Sequence, residues 1–123
     1  MIFGIGNDII EIYRIKKALE NEKFKEKVFT EKEINEIELK HNKYESYAGR
    51  FAAKEAISKS LNTGVKGFNL KDIEILNDSL GKPDVIFWGA LLEKYKNLEI
   101  KLTISHSKEY AIATAIAIEK IKP

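Results

Sequence analysis

The sequence predicts an α+β fold, with one long helix and several shorter helices packed on an antiparallel sheet. Three observations lead to this prediction. A proline-free stretch at residues 44–61, rich in Ala, Phe, Lys and Glu, has the composition of a long helix. Residues 72–87 contain two strand-like segments around a turn, and residues 100–118 repeat that arrangement, as antiparallel hairpins do. With 123 residues the chain has room for one domain, residues 1–123.

The chain is predicted to begin with one strand and continue into a helix. Residues 2–6 are apolar and punctuated by glycine, which favours a buried strand that ends near Asp8. Residues 9–19 then carry apolar side chains at helical spacing, with basic residues between them.

The next two predicted helices have recognisable ends. Thr30 and Glu33 fit a capping box, in which the threonine hydroxyl accepts from a backbone N–H and the glutamate reaches back. A short helix should therefore cover about residues 31–40. After the long helix at residues 44–61, Gly64 suits a left-handed stop.

The second half of the chain is predicted to be two hairpins joined by a helix. Its strands are expected at residues 72–76, 84–87, 100–104 and 110–118, and its helix at residues 88–98. One face of the last strand consists entirely of alanine, at Ala111, Ala113, Ala115 and Ala117. A face of such small side chains lets a bulky element approach closely, and the long helix is the simplest candidate.

Composition and charge exclude several classes of protein. A net charge of +2, from 21 basic and 19 acidic residues, argues against non-specific nucleic-acid binding. Without cysteine there is no disulfide, thiolate nucleophile or cysteine-ligated zinc, and with two histidines a metal would depend on carboxylates, which favours Mg²⁺. The sequence has no apolar run of membrane-spanning length and no signal-peptide pattern, so we expect a cytoplasmic protein with no membrane partner.

Two carboxylates stand out because their neighbours are apolar. Asp8 follows the first strand, where an aspartate either binds a ligand or caps the next helix. Glu55 shares a stripe of the long helix with Phe51 and Ala52, and Lys59 lies one turn later. That spacing is typical of a solvated ion pair, whereas the apolar stripe favours a cation held against the carboxylate. Because the opposite side also carries apolar residues, the helix should be covered on more than one face.

Two polar loops have two interpretations each. Residues 105–108, Ser-His-Ser-Lys, can hold a phosphate and suit a hairpin loop equally well. Residues 81–83, Gly-Lys-Pro, are first of all a turn. His41 is predicted to be a solvated loop residue.

A set of short motifs spans nearly the whole chain. In order they are GIGNDIIEI at residues 4–12, FTEKE at 29–33, AGRFAAKEA at 48–56 followed by Ser58-Lys59, ND at 77–78, GKP at 81–83 and ISHSKEYA at 104–111. Each motif is weak alone, but the ordered set resembles the holo-acyl-carrier-protein synthases, the short-chain 4'-phosphopantetheinyl transferase family. Asn7 departs from the family's usual threonine, and the match is poor from about residue 36 to residue 46.

The resemblance implies an activity and a set of site residues. The family transfers the phosphopantetheine arm of coenzyme A to a serine of apo-acyl carrier protein, releases adenosine 3',5'-bisphosphate and needs Mg²⁺. Asp8 and Glu55 would be the catalytic carboxylates that bind the metal, and Lys59 would neutralise the pyrophosphate. The serine proton would go to a metal-polarised water or to Glu55. The other coenzyme A contacts would be Arg50, Lys54, Gly81, Lys82, Pro83, His106 and Ser107.

The resemblance also implies partners. Arg14, Lys16 and Lys17 on the first helix form either a docking strip for an acidic carrier protein or a solvated basic face. A homotrimer is expected, with active sites at subunit interfaces, and a role in fatty acid biosynthesis. The alternative function is a non-catalytic coenzyme A or nucleotide-binding module. A third, an RNA-binding domain, is disfavoured by the near-neutral charge and by the lack of clustered aromatic residues.

Overall fold

The structure is a computed structural model that describes residues 1–62 and 68–121. The strands are β1 (Ile2–Glu11), β2 (Ile73–Asn77), β3 (Pro83–Phe87), β4 (Leu98–His106) and β5 (Tyr110–Glu119). The helices are α1 (Ile12–Ala18), α2 (Glu22–Val28), α3 (Glu31–Glu38), α4 (Lys43–Ser60) and α5 (Gly89–Tyr95), with a 3-10 turn at Leu70–Asp72.

Two antiparallel sheets carry the fold. One has the strand order β1-β5-β4, and the other is the β2-β3 hairpin. In the larger sheet Gly4 pairs with Ala117, Gly6 with Ala115 and Asp8 with Ala113, so Asp8 shares a face with the alanines. Helix α4 packs against this face, along both β1 and β5. The predicted α+β class is confirmed, and the alanine face does lie under the long helix.

The glycines of β1 are required by the close approach of α4. A Cβ atom added to Gly4 would lie 1.9 Å from the backbone oxygen of Ser60, and one added to Gly6 would lie 1.9 Å from that of Ala56. No side chain fits at such a distance, since packed protein interiors leave no room for it. Asp8, two residues further along the same face, is the first position of this row where β1 carries a side chain toward the helix.

Helix α4 is covered on several sides, as its apolar composition predicts. On one side it buries Ala52, Ala53 and Ala56 in a cluster that includes alanines of β5 and Ile73 and Ile75 of β2. On the other side Tyr47 and Ala48 belong to a second cluster formed with α1, the end of α2 and α3; its other buried members are Ile12, Ile15, Val28, Phe29, Ile37 and Ala111. The helix is therefore a rigid central support for any side chain at its surface.

The structure corrects several predicted boundaries. Strand β1 continues to Glu11 rather than ending near Asp8, because residues 9–11 stay paired with β5. Helix α2 and the 3-10 turn were not predicted. The predicted left-handed stop at Gly64 lies outside the described residues, and Asn62 takes a positive φ of 63° just after α4. The capping box of Thr30 and Glu33 is confirmed.

The face of the larger sheet that points away from α4 is apolar and open in a single chain. Ile5 and Ile9 of β1 are 66% and 58% exposed, and Ile112 of β5 is 39% exposed. Contiguous apolar surface of this kind marks an interaction site. Among the described residues, no helix combines the length and the apolar character needed to cross a membrane.

Candidate active site

The structure brings Asp8, Glu55 and Lys59 together. Asp8 lies within β1, directly opposite Ala113 and on the face toward α4. Helix α1 begins after Glu11 and has no side-chain cap, so Asp8 does not cap it. The Lys59 ammonium lies 3.2 Å from Asp8 Oδ1 and donates to the Asn7 carbonyl at 2.9 Å. Lys59 thus pairs across to the strand instead of forming the Glu55–Lys59 ion pair that helical spacing favours.

The negative charge of Asp8 near Glu55 is only partly balanced by Lys59. Burial and the nearby Asp8 carboxylate both raise the pKa of Glu55, and Lys59 only partly opposes them. Two carboxylates that lie close together beside a single lysine form a position that favours a further cation. This is the electrostatic pattern expected of a functional site.

The carboxylates of Asp8 and Glu55 suit a hard metal ion whose coordination shell is completed by the substrate. Within residues 1–62 and 68–121, no cluster of three or more His, Cys, Asp or Glu side chains has the arrangement of a closed metal site. Mg²⁺ typically uses one or two protein carboxylates and takes its remaining ligands from water and substrate phosphate. Asp8 and Glu55 are such a pair, and the pKa of Glu55 is raised first by burial and then by the charge of Asp8. The residues present therefore fit the predicted Mg²⁺.

A cleft of about 510 Å³ lies between the first half of α4, the β2-β3 turn and β4. This volume is in the range of small-ligand pockets. Most of the residues assigned to coenzyme A line it: Arg50, Gly81, Lys82, Pro83 and His106. Its lining contains neither Asp8 nor Glu55, so the cleft and the carboxylate pair are two separate places on one chain.

Arg50 reaches this cleft with most of its hydrogen-bonding capacity already used. The residue is 4% exposed. Its guanidinium donates to the Ile75 carbonyl at 2.5 Å and pairs with the Glu36 carboxylate. A guanidinium has five N–H groups, so those of Arg50 that face the cleft are still available to contact a ligand.

Lys54 does not reach the cleft, and its assignment to coenzyme A is corrected. Its side chain is completely buried, with its ammonium 2.8 Å from the Glu33 carboxylate. The same ammonium donates to the carbonyls of Val28 and Leu70. Burial lowers the pKa of Lys54, and Glu33 acts against that shift. Three donated hydrogens leave none for a phosphate, so Lys54 is a structural residue.

The loop between β4 and β5 is a hairpin turn. The Ser107 hydroxyl accepts from the backbone N–H groups of Glu109 and Tyr110, so it braces the turn. Ser107 does not line the cleft, whereas His106, the last residue of β4, does. Arg14, Lys16 and Lys17 are all exposed on α1, which follows β1 directly.

Comparison with known proteins identifies the family. A model of the 4'-phosphopantetheinyl transferase superfamily matches residues 4–115. The chain belongs to the 4'-phosphopantetheinyl transferase superfamily.

Individual relatives match over almost their whole length. A holo-[acyl-carrier-protein] synthase of Fusobacterium nucleatum is 53% identical, with 96% of this chain and 100% of that relative covered. A crystal structure of a holo-(acyl-carrier-protein) synthase from Bacillus anthracis, in complex with CoA (3',5'-ADP), is 45% identical, has a TM-score of 0.83 and covers 98% of this chain and 99% of that one. The synthase from Neisseria meningitidis is 32% identical, with a TM-score of 0.87 and coverage of 97% and 100%.

Membership of this superfamily confirms the predicted family, the fold and the transferase class. Phosphopantetheinyl transfer is thus the class of reaction that the chain serves.

Two residues that bear on the cleft were assigned no role by the sequence analysis. Glu36, which pairs with Arg50, falls in the segment where the family motifs match poorly. Asn77 lines the cleft but was assigned to the turn. The sequence does contain a signal for the pairing of these glutamates with α4. Glu33 and Glu36 are three residues apart on α3, and Arg50 and Lys54 are four residues apart on α4. Such spacing places each pair on one face of its helix.

Proposed function

We propose that this protein transfers 4'-phosphopantetheine from coenzyme A to a serine of apo-acyl carrier protein, with Mg²⁺, in the cytoplasm and in support of fatty acid biosynthesis. The serine Oγ attacks the phosphorus that bears pantetheine. The bond from that phosphorus to the bridging oxygen of the diphosphate breaks, and adenosine 3',5'-bisphosphate leaves with that oxygen. The products are holo-acyl carrier protein and the bisphosphate.

The observation that carries this proposal is the convergence of Asp8 and Glu55 beside Lys59. Transfer of a phosphoryl group depends on positioning and charge neutralisation more than on covalent help from the protein. A magnesium ion bound there would supply neutralisation of the diphosphate charge. Asp8 and Glu55 would hold that ion, since their combined negative charge is only partly balanced by Lys59.

Lys59 supplies a second positive charge that can move to the substrate. Its side chain is 53% exposed, and its contacts with Asp8 and the Asn7 carbonyl lie at the surface. A diphosphate oxygen would compete with Asp8 for this ammonium. The serine proton would pass to Glu55, whose raised pKa suits a proton acceptor, or to a water held beside the carboxylates.

We further propose that the protein acts as a homotrimer with its active sites between subunits. Two observations support an assembly of several copies. The open sheet face that carries Ile5, Ile9 and Ile112 needs a cover. The cleft that suits the adenosine end excludes Asp8 and Glu55, so a neighbouring copy would bring the two parts together.

We propose that the carrier protein docks on α1. Arg14 and Lys17 are exposed there, and the helix starts one residue after the strand that carries Asp8. Acidic partners are steered by such basic strips.

The decisive experiment is the intact mass of a carrier protein. Apo-acyl carrier protein is incubated with coenzyme A, Mg²⁺ and the protein, and then weighed by mass spectrometry. We expect the mass to rise by one phosphopantetheine group, and we expect no rise with Asp8→Ala or Glu55→Ala. Tight binding of coenzyme A with an unmodified carrier would instead identify the alternative, a non-catalytic coenzyme A-binding module.

A further inference from the structure

The outer edge of β2 is satisfied by side chains instead of by another strand. One edge of β2 pairs with β3. On the other edge, the N–H of Ile75 donates to Glu33 at 2.9 Å, and the N–H of Asn77 donates to Glu36 at 3.1 Å. The Ile75 carbonyl accepts from the Arg50 guanidinium. Side chains of α3 and α4 therefore fix where the β2-β3 hairpin lies.

The two glutamates that bind this edge differ in what else they do. Glu33 is fully buried, pairs with Lys54 and completes the capping box of α3, so it serves the fold. Glu36 is partly exposed, its side chain by 28%, and it accepts hydrogen bonds from Arg50 and from the backbone N–H of Asn77. Both of these partners line the cleft.

The turn that follows Asn77 is braced internally. Asp78 N–H donates to the Lys82 carbonyl at 2.8 Å, and Gly81 N–H donates to the Asp78 carbonyl at 2.9 Å. The Asp78 carboxylate accepts from the Lys82 N–H at 2.9 Å. A turn held together in this way moves as one body with the end of β2. The position of Gly81 and Lys82 on the cleft wall therefore depends on what anchors Asn77.

We propose that Glu36 is a positioning residue for coenzyme A, acting through Arg50 and the β2-β3 turn. It fixes the Asn77 amide and balances the charge of a guanidinium side chain that is only 5% exposed. Without Glu36, that cation would lose the counter-ion that it has among the described residues, and the turn would lose its anchor. This inference rests on the proposed function, because it assigns the cleft to coenzyme A.

Two substitutions of Glu36 separate the loss of its hydrogen bonds to Arg50 and Asn77 from a general loss of stability. Glu36→Ala removes both contacts, whereas Glu36→Gln keeps an oxygen that can accept from Arg50 and Asn77. Glu38→Ala is the matched control on the same helix. Glu38 binds Tyr47, Lys25 and Lys43, none of which lines the cleft, so this variant loses comparable contacts without touching the hairpin.

The test combines amide hydrogen exchange at Asn77 with steady-state kinetics. For Glu36→Ala we expect exchange at Asn77 to speed up about tenfold or more, and the KM for coenzyme A to rise about tenfold with kcat within about twofold, the scale of one lost hydrogen bond to a charged group. Glu36→Gln should restore Asn77 exchange to within about threefold of the wild type and the KM only in part, because the amide anchors the turn but gives Arg50 no counter-ion. Glu38→Ala should leave Asn77 exchange and the KM unchanged.

The outcomes also separate this inference from the proposed function. If the Asn77 amide of Glu36→Ala exchanges at the wild-type rate, the positioning role is wrong and the transferase proposal stands. The same holds if exchange at Asn77 speeds up while the KM for coenzyme A stays unchanged. A KM that rises equally in Glu38→Ala also contradicts it. If the wild-type protein leaves the carrier unmodified, the transferase proposal fails, while Asn77 exchange and direct coenzyme A binding still decide the role of Glu36.

Discussion

Neutralising Glu55 should stabilise the protein while it abolishes activity. The pKa of Glu55 is raised by burial and by Asp8, which means that the folded chain holds the proton of this carboxyl more tightly than the unfolded chain does. At neutral pH the ionised carboxylate therefore costs stability. Glu55→Gln removes that charge and keeps the shape of the side chain.

The size of the effect follows from the partial exposure of the site. Partly solvated charge pairs are worth up to about 1 kcal/mol, so we expect the free energy of unfolding at pH 7 to rise by about 0.5 kcal/mol. For a chain of this size that corresponds to an increase in Tm of about 2 °C. The gain should be absent below pH 4.5, the ordinary value for this carboxyl, because Glu55 is then protonated in both states. It should appear as the pH rises through the raised pKa.

Denaturation at pH 4 and pH 7, without divalent ions, measures this directly. Glu45→Gln is the control on the same helix. Glu45 lies in the first turn of α4, where a negative charge is favourable, so its neutralisation should lower stability slightly. A lower Tm for Glu55→Gln at pH 7, or the same shift at both pH values, would refute the electrostatic account of this site.

Three further substitutions test other parts of the structure. Arg14→Ala should raise the KM for carrier protein at low salt, an effect that shrinks as salt is added; an unchanged KM removes Arg14 from the docking surface. Lys54→Met should lower the free energy of unfolding by about 3 kcal/mol in a denaturant titration, because it leaves the Glu33 carboxylate buried without its ion-pair partner. A loss below about 1 kcal/mol would contradict the buried ion pair. Gly6→Ala should lower the free energy of unfolding by about 1–3 kcal/mol in the same titration, because the added Cβ would meet the Ala56 backbone. Wild-type stability of this variant would show that β1 and α4 are less closely packed.

Local patterns predicted the elements whose signal lies in neighbouring residues. The alanine face of β5 predicted contact with a helix, since small side chains at every second position serve little else. The capping box predicted where α3 begins. Helix α2 escaped because it has seven residues and little apolar periodicity, with Phe24 and Val28 as its two apolar members.

The charged residues of α4 show what a single sequence does not contain. The family resemblance implies that Arg50 and Lys54 contact the phosphates of coenzyme A. In the folded chain both pair with glutamates of α3, Arg50 with Glu36 and Lys54 with Glu33, which become neighbours only after the helices have packed. The Glu33 pair removes Lys54 from the cleft, whereas Arg50 still lines it. The apolar, glycine-punctuated run at residues 2–6 also predicts a strand that ends near Asp8, yet pairing with β5 carries β1 on to Glu11.

In the proposed reaction Asp8 and Glu55 hold one divalent ion together. Mn²⁺ binding, followed by electron paramagnetic resonance with coenzyme A present, is the measurement that decides whether they do. We predict one Mn²⁺ per chain for the wild-type protein, a loss of at least about tenfold in affinity for Asp8→Asn and for Glu55→Gln, and no change for Glu38→Ala. Wild-type Mn²⁺ affinity in either carboxylate variant would show that the two side chains do not share an ion.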